Sequence, residues 1–255
     1  HPVKIVIYDD ASDETKAVLA AKKLIEEDRV AAIVGTTLSG TSLAILATVQ
    51  KAQVPLISCA AAIKIVEPAA ERKWVFKTPQ SDFLIIGVLV DHLKSRGLTR
   101  VGWLHVDYAF GDLGWIEFQK AAPRAGLQVV ASEKFGQRDV DMTPQLTRVK
   151  AANPQAVVVW SIPPSASIVT KNYRDLGITA PLFQSHGVGN KRYIELAGPA
   201  ANGVVFPAGK LLVAEQLPDS DPQKPVLLAY AKAFEAKYGP RNTFGGHAWD
   251  ALQLV

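Results

Sequence analysis

The turn at residues 35–42 contains residue types that hold anions. It follows an apolar run and precedes a helix-like segment, and it reads Gly35-Thr36-Thr37-Leu38-Ser39-Gly40-Thr41-Ser42. Small side chains let a ligand approach the backbone closely. The N–H groups at a helix start favour a carboxylate or another anion, and two hydroxyls add donors. We therefore predict ligand contacts by Ser39, Gly40 and Thr41, with an ordinary N-cap by Ser39 as the alternative.

Two further turns follow apolar runs. Cys59-Ala60-Ala61-Ala62 has side chains small enough for a ligand to lie against its backbone, although they suit tight packing equally well. Cys59 is expected to be a packed, inert thiol, because no base is evident nearby. The third turn, Gln184-Ser185-His186-Gly187, lies in the other half of the chain. We predict binding roles for Ala60, Ala61, Ala62 and His186, although a lone histidine is more often structural.

Motifs for catalysis and cofactors are missing from the sequence. It has no Walker-type phosphate loop, no Gly-x-Ser-x-Gly elbow and no His-Glu-x-x-His pair. Its histidines show no metal-ligand spacing, and Gly187-Val188-Gly189 lacks the third glycine of a dinucleotide fingerprint. The pair Asp9-Asp10 is interpreted as a turn or a helix cap. We therefore predict no enzyme, no metal and no cofactor.

The composition restricts the class of protein further. Hydrophobic residues make up 48% and charged residues 20% of the 255, which excludes a disordered chain. No apolar run reaches the roughly 18 residues of a membrane span. The formal charge is only +4 and is scattered, so we predict no nucleic-acid partner.

Short apolar runs alternate with amphipathic segments along the chain. The predicted strands are Val3–Tyr8, Ala31–Gly35, Pro55–Cys59, Arg100–Val106, Gln128–Phe135, Ala156–Trp160, Pro181–Ser185 and Gly203–Pro207. The predicted helices are Asp13–Asp28, Ser39–Ala52, Ser81–Arg96, Gly111–Ala125, Thr143–Ala152, Pro164–Leu176, Pro225–Tyr238 and Gly246–Leu254. Glycines at positions 97, 126, 177 and 239 mark helix ends. Repeated βα units predict a doubly wound α/β fold.

An internal likeness suggests two similar lobes. Residues 32–39 and 157–164 each contain an apolar strand, a short polar turn and a helix start. We predict a crossing at Lys77–Gln80 and a return at Pro207–Lys210. Lobe I is then 1–77 with 209–255, and lobe II is 78–208.

The motifs at these turns carry a family resemblance that covers nearly the whole chain. They are Ile7-Tyr8-Asp9-Asp10, Ile33-Val34-Gly35 with Ser39, Pro55-Leu56-Ile57-Ser58, Tyr108-Ala109-Phe110-Gly111, Gly187-Val188-Gly189-Asn190 and Ala248-Trp249-Asp250-Ala251. The chain resembles the periplasmic substrate-binding proteins of ABC transporters in the branched-chain amino-acid (Leu/Ile/Val) receptor family. These are type I periplasmic binding proteins. The resemblance implies two Rossmann-like lobes joined by a hinge, a small ligand, a permease partner, a periplasmic location and a monomer.

The resemblance also implies ligand positions in the first lobe. Ser39 matches the residue whose hydroxyl and backbone hold the ligand carboxylate, and Ala60 matches a backbone contact. Ala62 stands where amino-acid binders usually have threonine. Phe244 matches a side chain that lines the apolar part of the pocket.

In the second lobe the resemblance implies three more positions. Phe110 stands where the family has an aromatic residue, usually tyrosine, and Ile162 stands at another position that is often tyrosine. His186 replaces the acidic residue that pairs with the ligand ammonium. A buried ammonium needs an acceptor or a counter-charge, whereas an imidazolium would repel it. We therefore hypothesise a carboxylate without an α-amino group, against an apolar or aromatic wall that also includes Trp160.

Other functions remain open at this point. The chain could be a branched-chain amino-acid receptor or a ligand-sensing domain of the same fold. An α/β hydrolase that uses Ser39 with His105 or His186 is the least favoured alternative. In the family's sheet order, the first strand of lobe I lies between those matched by Val3–Tyr8 and Ala31–Gly35. We therefore expect a longer protein at both ends, with a cleaved export signal that the printed sequence lacks.

Overall fold

The computed structural model describes residues 3–255, which form two compact units. Unit 1 runs to Ser81 and includes Phe244–Val255, and unit 2 is Asp82–Thr243. The first crossing lies close to the predicted one. Residues 209–243, predicted in lobe I, group with unit 2 instead, because Thr243 N donates to Gly189 O at 3.3 Å and Leu212 packs against Gly189.

The elements alternate along the chain as the pattern predicts. The helices are α1 Glu14–Glu26, α2 Ser39–Ala52, α3 Asp82–Ser95, α4 Ala109–Arg124, α5 Thr143–Ala151, α6 Ser165–Asp175, α7 Lys191–Ala197, α8 Lys224–Tyr238 and α9 Thr243–Leu254. The strands are β1 Ile33–Val34, β2 Leu56–Ser58, β3 Val75–Lys77, β4 Arg100–Val106, β5 Gln128–Phe135, β6 Ala156–Trp160 and β7 Leu182–Gln184. Four predicted helix-ending glycines have a positive φ of 61° to 82°, which only glycine adopts without strain.

Unit 1 contains a parallel sheet in the order β1-β2-β3. Ile33 pairs with Leu56, and Leu56 pairs with Val75. The helix α9 packs on this sheet, where Ile57, Cys59 and Ala251 are buried together. The sheet ends in the turns at residues 35–38 and 59–62.

The predicted first strand, Val3–Tyr8, is wrong, because these residues belong to no strand. A groove of about 530 Å³ separates them from β1, and it is also lined by Ala248, Leu252 and Val255. A strand forms only where a neighbour accepts its backbone hydrogen bonds, and β1 pairs only with β2 among the described strands. Ile5 and Ile7 are consequently exposed.

Unit 2 contains a parallel sheet in the order β5-β4-β6-β7. All five residues of β6 are buried, as expected for a strand covered on both faces. From β4 the chain passes to β5 on one side, whereas β6 lies on the other side. Ligands in such sheets bind where the strand order reverses, at the carboxyl ends. Val106 and Trp160 are the last residues of the two strands at this point.

Short elements account for the remaining differences from the predicted pattern. The sequence pattern did not predict β3 and α7, which have only three and seven residues. The predicted strand Gly203–Pro207 is wrong, because it contributes only an isolated bridge from Val205 to Phe183. The turn at Asp9 and Asp10 is confirmed, because their carboxylates accept the N–H groups of residues 11 and 12 at 2.8 Å.

Candidate functional site

The turn between β1 and α2 presents buried backbone donors. The N-cap of α2 is Leu38, which supplies no side-chain cap, so the alternative of an N-cap by Ser39 is wrong. Ser39, Gly40 and Thr41 occupy the first turn of the helix, where N–H groups have no intrahelical acceptor. The described part of the chain offers them no other acceptor, and all three residues are buried. Buried donors at the positive end of a helix can be satisfied by an anion.

The hydroxyls of this turn have different surroundings. Ser39 Oγ accepts a hydrogen bond from Ala62 N at 3.3 Å, and its own proton has no acceptor among the residues described. The Thr41 hydroxyl instead donates to Leu38 O at 3.1 Å and contacts Thr36 Oγ1. The geometry therefore favours Ser39 as the hydroxyl that is available to a ligand.

The second turn, Cys59–Ala62, is buried throughout. The Ala60 N–H donates to Ser58 Oγ at 3.1 Å, whereas that of Ala61 meets no acceptor within residues 3–255. Cys59 is buried, as expected of a packed thiol, and this burial raises its pKa. With only methyl side chains above its backbone, this turn can offer peptide groups to a ligand.

Three rings cluster at the carboxyl ends of the strands in unit 2. Phe110 stacks on Trp160 with 5.6 Å between ring centroids. His186 meets both rings edge-on, at 5.8 Å from Phe110 and 5.6 Å from Trp160. Trp160 is fully buried, and the other two are almost so. The ring cluster is thus an apolar surface with one ionisable member.

Ile162 and His186 are held together by the turns that carry them. Ser185 Oγ donates to Ser161 O at 2.6 Å and accepts from Gly187 N at 3.2 Å. A Cβ on Gly187 would lie 2.6 Å from Ile162 Cγ2, so only glycine allows this approach. The half-buried Ile162 therefore lies against the His186 turn.

The ring cluster rests on a layer that the sequence analysis did not identify. Trp103 stacks on Trp160 at 5.8 Å and donates from Nε1 to His105 Nδ1 at 3.0 Å. This bond implies that the other nitrogen of His105, Nε2, carries the proton, 3.4 Å from Asp112 Oδ1. Burial lowers the pKa of His105. In the sequence, the feature that could have indicated this layer is Trp103, a large ring within the apolar run Arg100–Val106.

The predicted site residues thus form two sets. Unit 1 brings together Ser39, Gly40, Thr41 and the turn Ala60–Ala62, and unit 2 brings together Phe110, Trp160, Ile162 and His186. Phe244 lies in the first turn of α9, in unit 1. In the hydrolase alternative, His105 or His186 would be the base, and of these two His105 already accepts from an indole at Nδ1.

Histidine, cysteine and carboxylate side chains are scattered over the described residues 3–255. In that part of the chain, no three histidine, cysteine, aspartate or glutamate side chains are grouped to hold a metal ion. None of the helices within residues 3–255 combines the length and apolar character needed to cross a membrane.

Both units are parallel α/β sheets with buried turns at the carboxyl ends of their strands, where proteins of the α/β class bind ligands. A family model described as periplasmic binding protein matches residues 1–255. The chain belongs to this family, and the resemblance to the type I proteins of the branched-chain amino-acid receptor family is confirmed. The predicted α/β class with Rossmann-like lobes is confirmed as well.

Three known proteins illustrate the similarity. The chain is 25% identical to a leucine-, isoleucine-, valine-, threonine- and alanine-binding protein of Pseudomonas aeruginosa, over 98% of its own length and 65% of the relative's. An extracellular ligand-binding receptor from Rhodopseudomonas palustris is 32% identical, with a TM-score of 0.94 over 100% of this chain and 71% of that one. A solute-binding protein of R. palustris solved with benzoate is 25% identical, with a TM-score of 0.83 over 97% and 67%. The chain thus spans just under two thirds of the curated relative.

Proposed function

We propose that this chain is the ligand-binding part of an extracytoplasmic receptor that binds a small organic acid and delivers it to an ABC permease. The observation that carries the proposal is the start of α2, where three buried N–H groups and the Ser39 hydroxyl proton have no acceptor among the described residues. A ligand carboxylate would satisfy these donors. The family consists of binding proteins, which supports a receptor rather than an enzyme.

The unit 2 surface favours an aromatic or apolar acid. Phe110 and Ile162 present a ring and a branched chain, with the buried Trp160 stacked behind Phe110, and by the family resemblance His186 stands where amino-acid receptors have an acid. Ala62 likewise has no hydroxyl to accept from an ammonium. Rings pack favourably against rings, and an uncompensated ammonium would be costly in such a place. The similar R. palustris protein that holds benzoate supports the same class of ligand.

A branched-chain amino-acid receptor is the second candidate. The named specificity of the P. aeruginosa relative favours it. Backbone carbonyls would then have to accept from the α-ammonium, because neither Ala62 nor His186 provides a carboxylate or hydroxyl.

The location and partner follow from the same proposal. We place the receptor in the periplasm as a monomer, with a permease as its partner. A ligand-sensing domain would have the same fold and site. Neighbouring genes distinguish the two, because a transporter operon contains permease and ATPase genes and a sensor operon contains a kinase or regulator.

Native mass spectrometry of the purified chain tests the proposal directly. A mass above that of the chain, lost on denaturation, would reveal a retained ligand. An organic acid in the released fraction would support the proposal. Turnover of the bound compound would instead revive the hydrolase alternative.

Calorimetry with benzoate and L-leucine then separates the two ligand classes. We expect benzoate to bind more tightly, and we expect His186→Glu to weaken benzoate binding because it adds a carboxylate beside the ring cluster. Tight leucine binding with no binding of aromatic acids would exclude the aromatic-acid receptor. Unchanged benzoate affinity in His186→Glu would remove His186 from the site.

A further inference from the structure

Buried hydroxyls form a continuous hydrogen-bonded chain beneath the two candidate turns of unit 1. Ser42 Oγ lies 2.7 Å from Ser58 Oγ and 2.9 Å from Thr36 Oγ1. Ser42 and Ser58 are fully buried. The chain reaches the second turn through Ala60 N, which donates to Ser58 Oγ at 3.1 Å. It reaches the first turn through Thr41, whose Oγ1 lies 2.5 Å from Thr36 Oγ1.

The two ends of this chain fix its direction. At one end the donor is the Ala60 N–H, which can only donate. At the other end the acceptor is the carbonyl of Leu38, which can only accept, and the Thr41 hydroxyl donates to it at 3.1 Å. Each hydroxyl in between has one proton to pass on. Thr36 Oγ1 also lies 3.1 Å from Leu38 O, so the protons run from Ala60 N–H through Ser58, Ser42 and Thr36 to this carbonyl, either directly or by way of Thr41.

This chain joins two turns that are far apart in sequence. Leu38 is the N-cap of α2, and its carbonyl also accepts from Ser42 N at 3.0 Å. Its position therefore sets where the free donors of the α2 N-terminus point. Ala60 belongs to the turn after β2, whose placement depends on the same hydroxyls. Bonds that run in one direction polarise each other, so loss of one link weakens the others.

We propose that Ser42 and Ser58 are positioning residues, which hold the turns 38–41 and 59–62 in register for a ligand carboxylate without contacting it. This inference rests on the proposed function for its ligand. The hydrogen-bonded chain of hydroxyls does not depend on that proposal, because it follows from distances between described atoms. Thr41, predicted from sequence as a ligand contact, becomes part of this positioning chain through its side chain.

Amide hydrogen exchange in the full chain tests the coupling without any ligand. Ser42→Ala removes a hydroxyl that does not contact Ala60, and we expect exchange of the Ala60 N–H to accelerate about tenfold. Thr36→Val breaks the chain one link further away and keeps the side-chain shape, so it serves if Ser42→Ala does not fold. The matched control is Tyr193→Phe in unit 2, which deletes a buried hydroxyl 2.8 Å from Thr170 Oγ1. It should leave exchange at Ala60 unchanged.

Affinity for benzoate and L-leucine tests the positioning role. We expect Ser42→Ala to weaken the better probe about tenfold, Ser42→Thr to restore its affinity, and Tyr193→Phe to leave it unaltered. Unchanged exchange at Ala60, or unchanged affinity with accelerated exchange, would overturn the proposal. A wild-type protein that binds neither probe would instead count against the proposed ligand class. The exchange data would still decide whether the hydroxyls couple the two turns.

Discussion

Gly114→Ala should disrupt the ring cluster of unit 2 from beneath. Gly114 lies in α4, and a Cβ added there would lie 2.2 Å from Trp160 Nε1 and 2.5 Å from Cδ1. Ordinary contacts need about 3.4 Å or more, so the indole must move by at least about 1 Å. Trp160 has no free space, because it is fully buried and stacks on Trp103 and Phe110.

The cost can be isolated with a second glycine. Overpacking a closed core costs about 1–3 kcal/mol, whereas glycine to alanine inside a helix gains about 0.5–1 kcal/mol. Gly87 lies inside α3, also in unit 2, and a Cβ added there would meet nothing within 4 Å. Gly87→Ala should therefore stabilise the chain. The difference between the two variants, about 1–3 kcal/mol, measures the clash alone.

Urea unfolding followed by circular dichroism measures both free energies, and tryptophan fluorescence reports on the indole. We expect Gly114→Ala to unfold at lower urea and to change the emission of the native state. Gly87→Ala should unfold at higher urea with unchanged emission. Equal stability of the two variants would refute the described packing of Trp160 against α4.

Three further predictions concern single side chains. Ser39→Ala should weaken benzoate binding by about 1–3 kcal/mol in calorimetry, because a hydroxyl donor to the carboxylate is lost. Ser167→Ala, which deletes another buried hydroxyl, should not, and equal affinities would remove Ser39 from the site. Burial and then the Lys77 charge lower the pKa of His247 to about 4 from 6.5, so the unfolded chain binds the proton more readily. Unfolding free energy should thus fall by about 2 kcal/mol between about pH 7.5 and pH 5, and His247→Gln should remove that dependence. The Tyr108 hydroxyl is buried without a partner among the described residues, so Tyr108→Phe should leave thermal stability equal or higher, and a clear loss would reveal a hidden hydrogen bond.

The long elements could be predicted because their pattern is local. The bounds of β4, β5, β6 and α2 agree with the sequence prediction, since apolar runs and helical spacing are properties of each segment. Val3–Tyr8 has the same apolar pattern, yet it forms no strand. Pairing depends on a neighbouring strand, and no local pattern contains that information.

The candidate site divides in a similar way. The turns with Ser39 and Ala60 could be found, because small residues after an apolar run mark a strand end next to a helix start. The support beneath the site could not be found. Ser42 and Ser58 are 16 positions apart, and Trp103 lies in β4 whereas Trp160 lies in β6, so their contacts depend on how the strands are ordered. The sequence therefore indicates the residues that form a turn more readily than the buried residues that support it.

The two units share one hydrogen-bond pattern at a strand end, and they differ in the groups that lie beside it. Ser58 and Ser185 each follow or end a strand, and each accepts the N–H two residues later, from Ala60 and Gly187 respectively. Unit 1 offers backbone donors beside this serine, which suit any carboxylate. Unit 2 offers rings and the one histidine of the ring cluster, which suit only some of the groups that a carboxylate can carry. Affinity for acids as a class should therefore depend on unit 1, and the choice among acids should depend on unit 2.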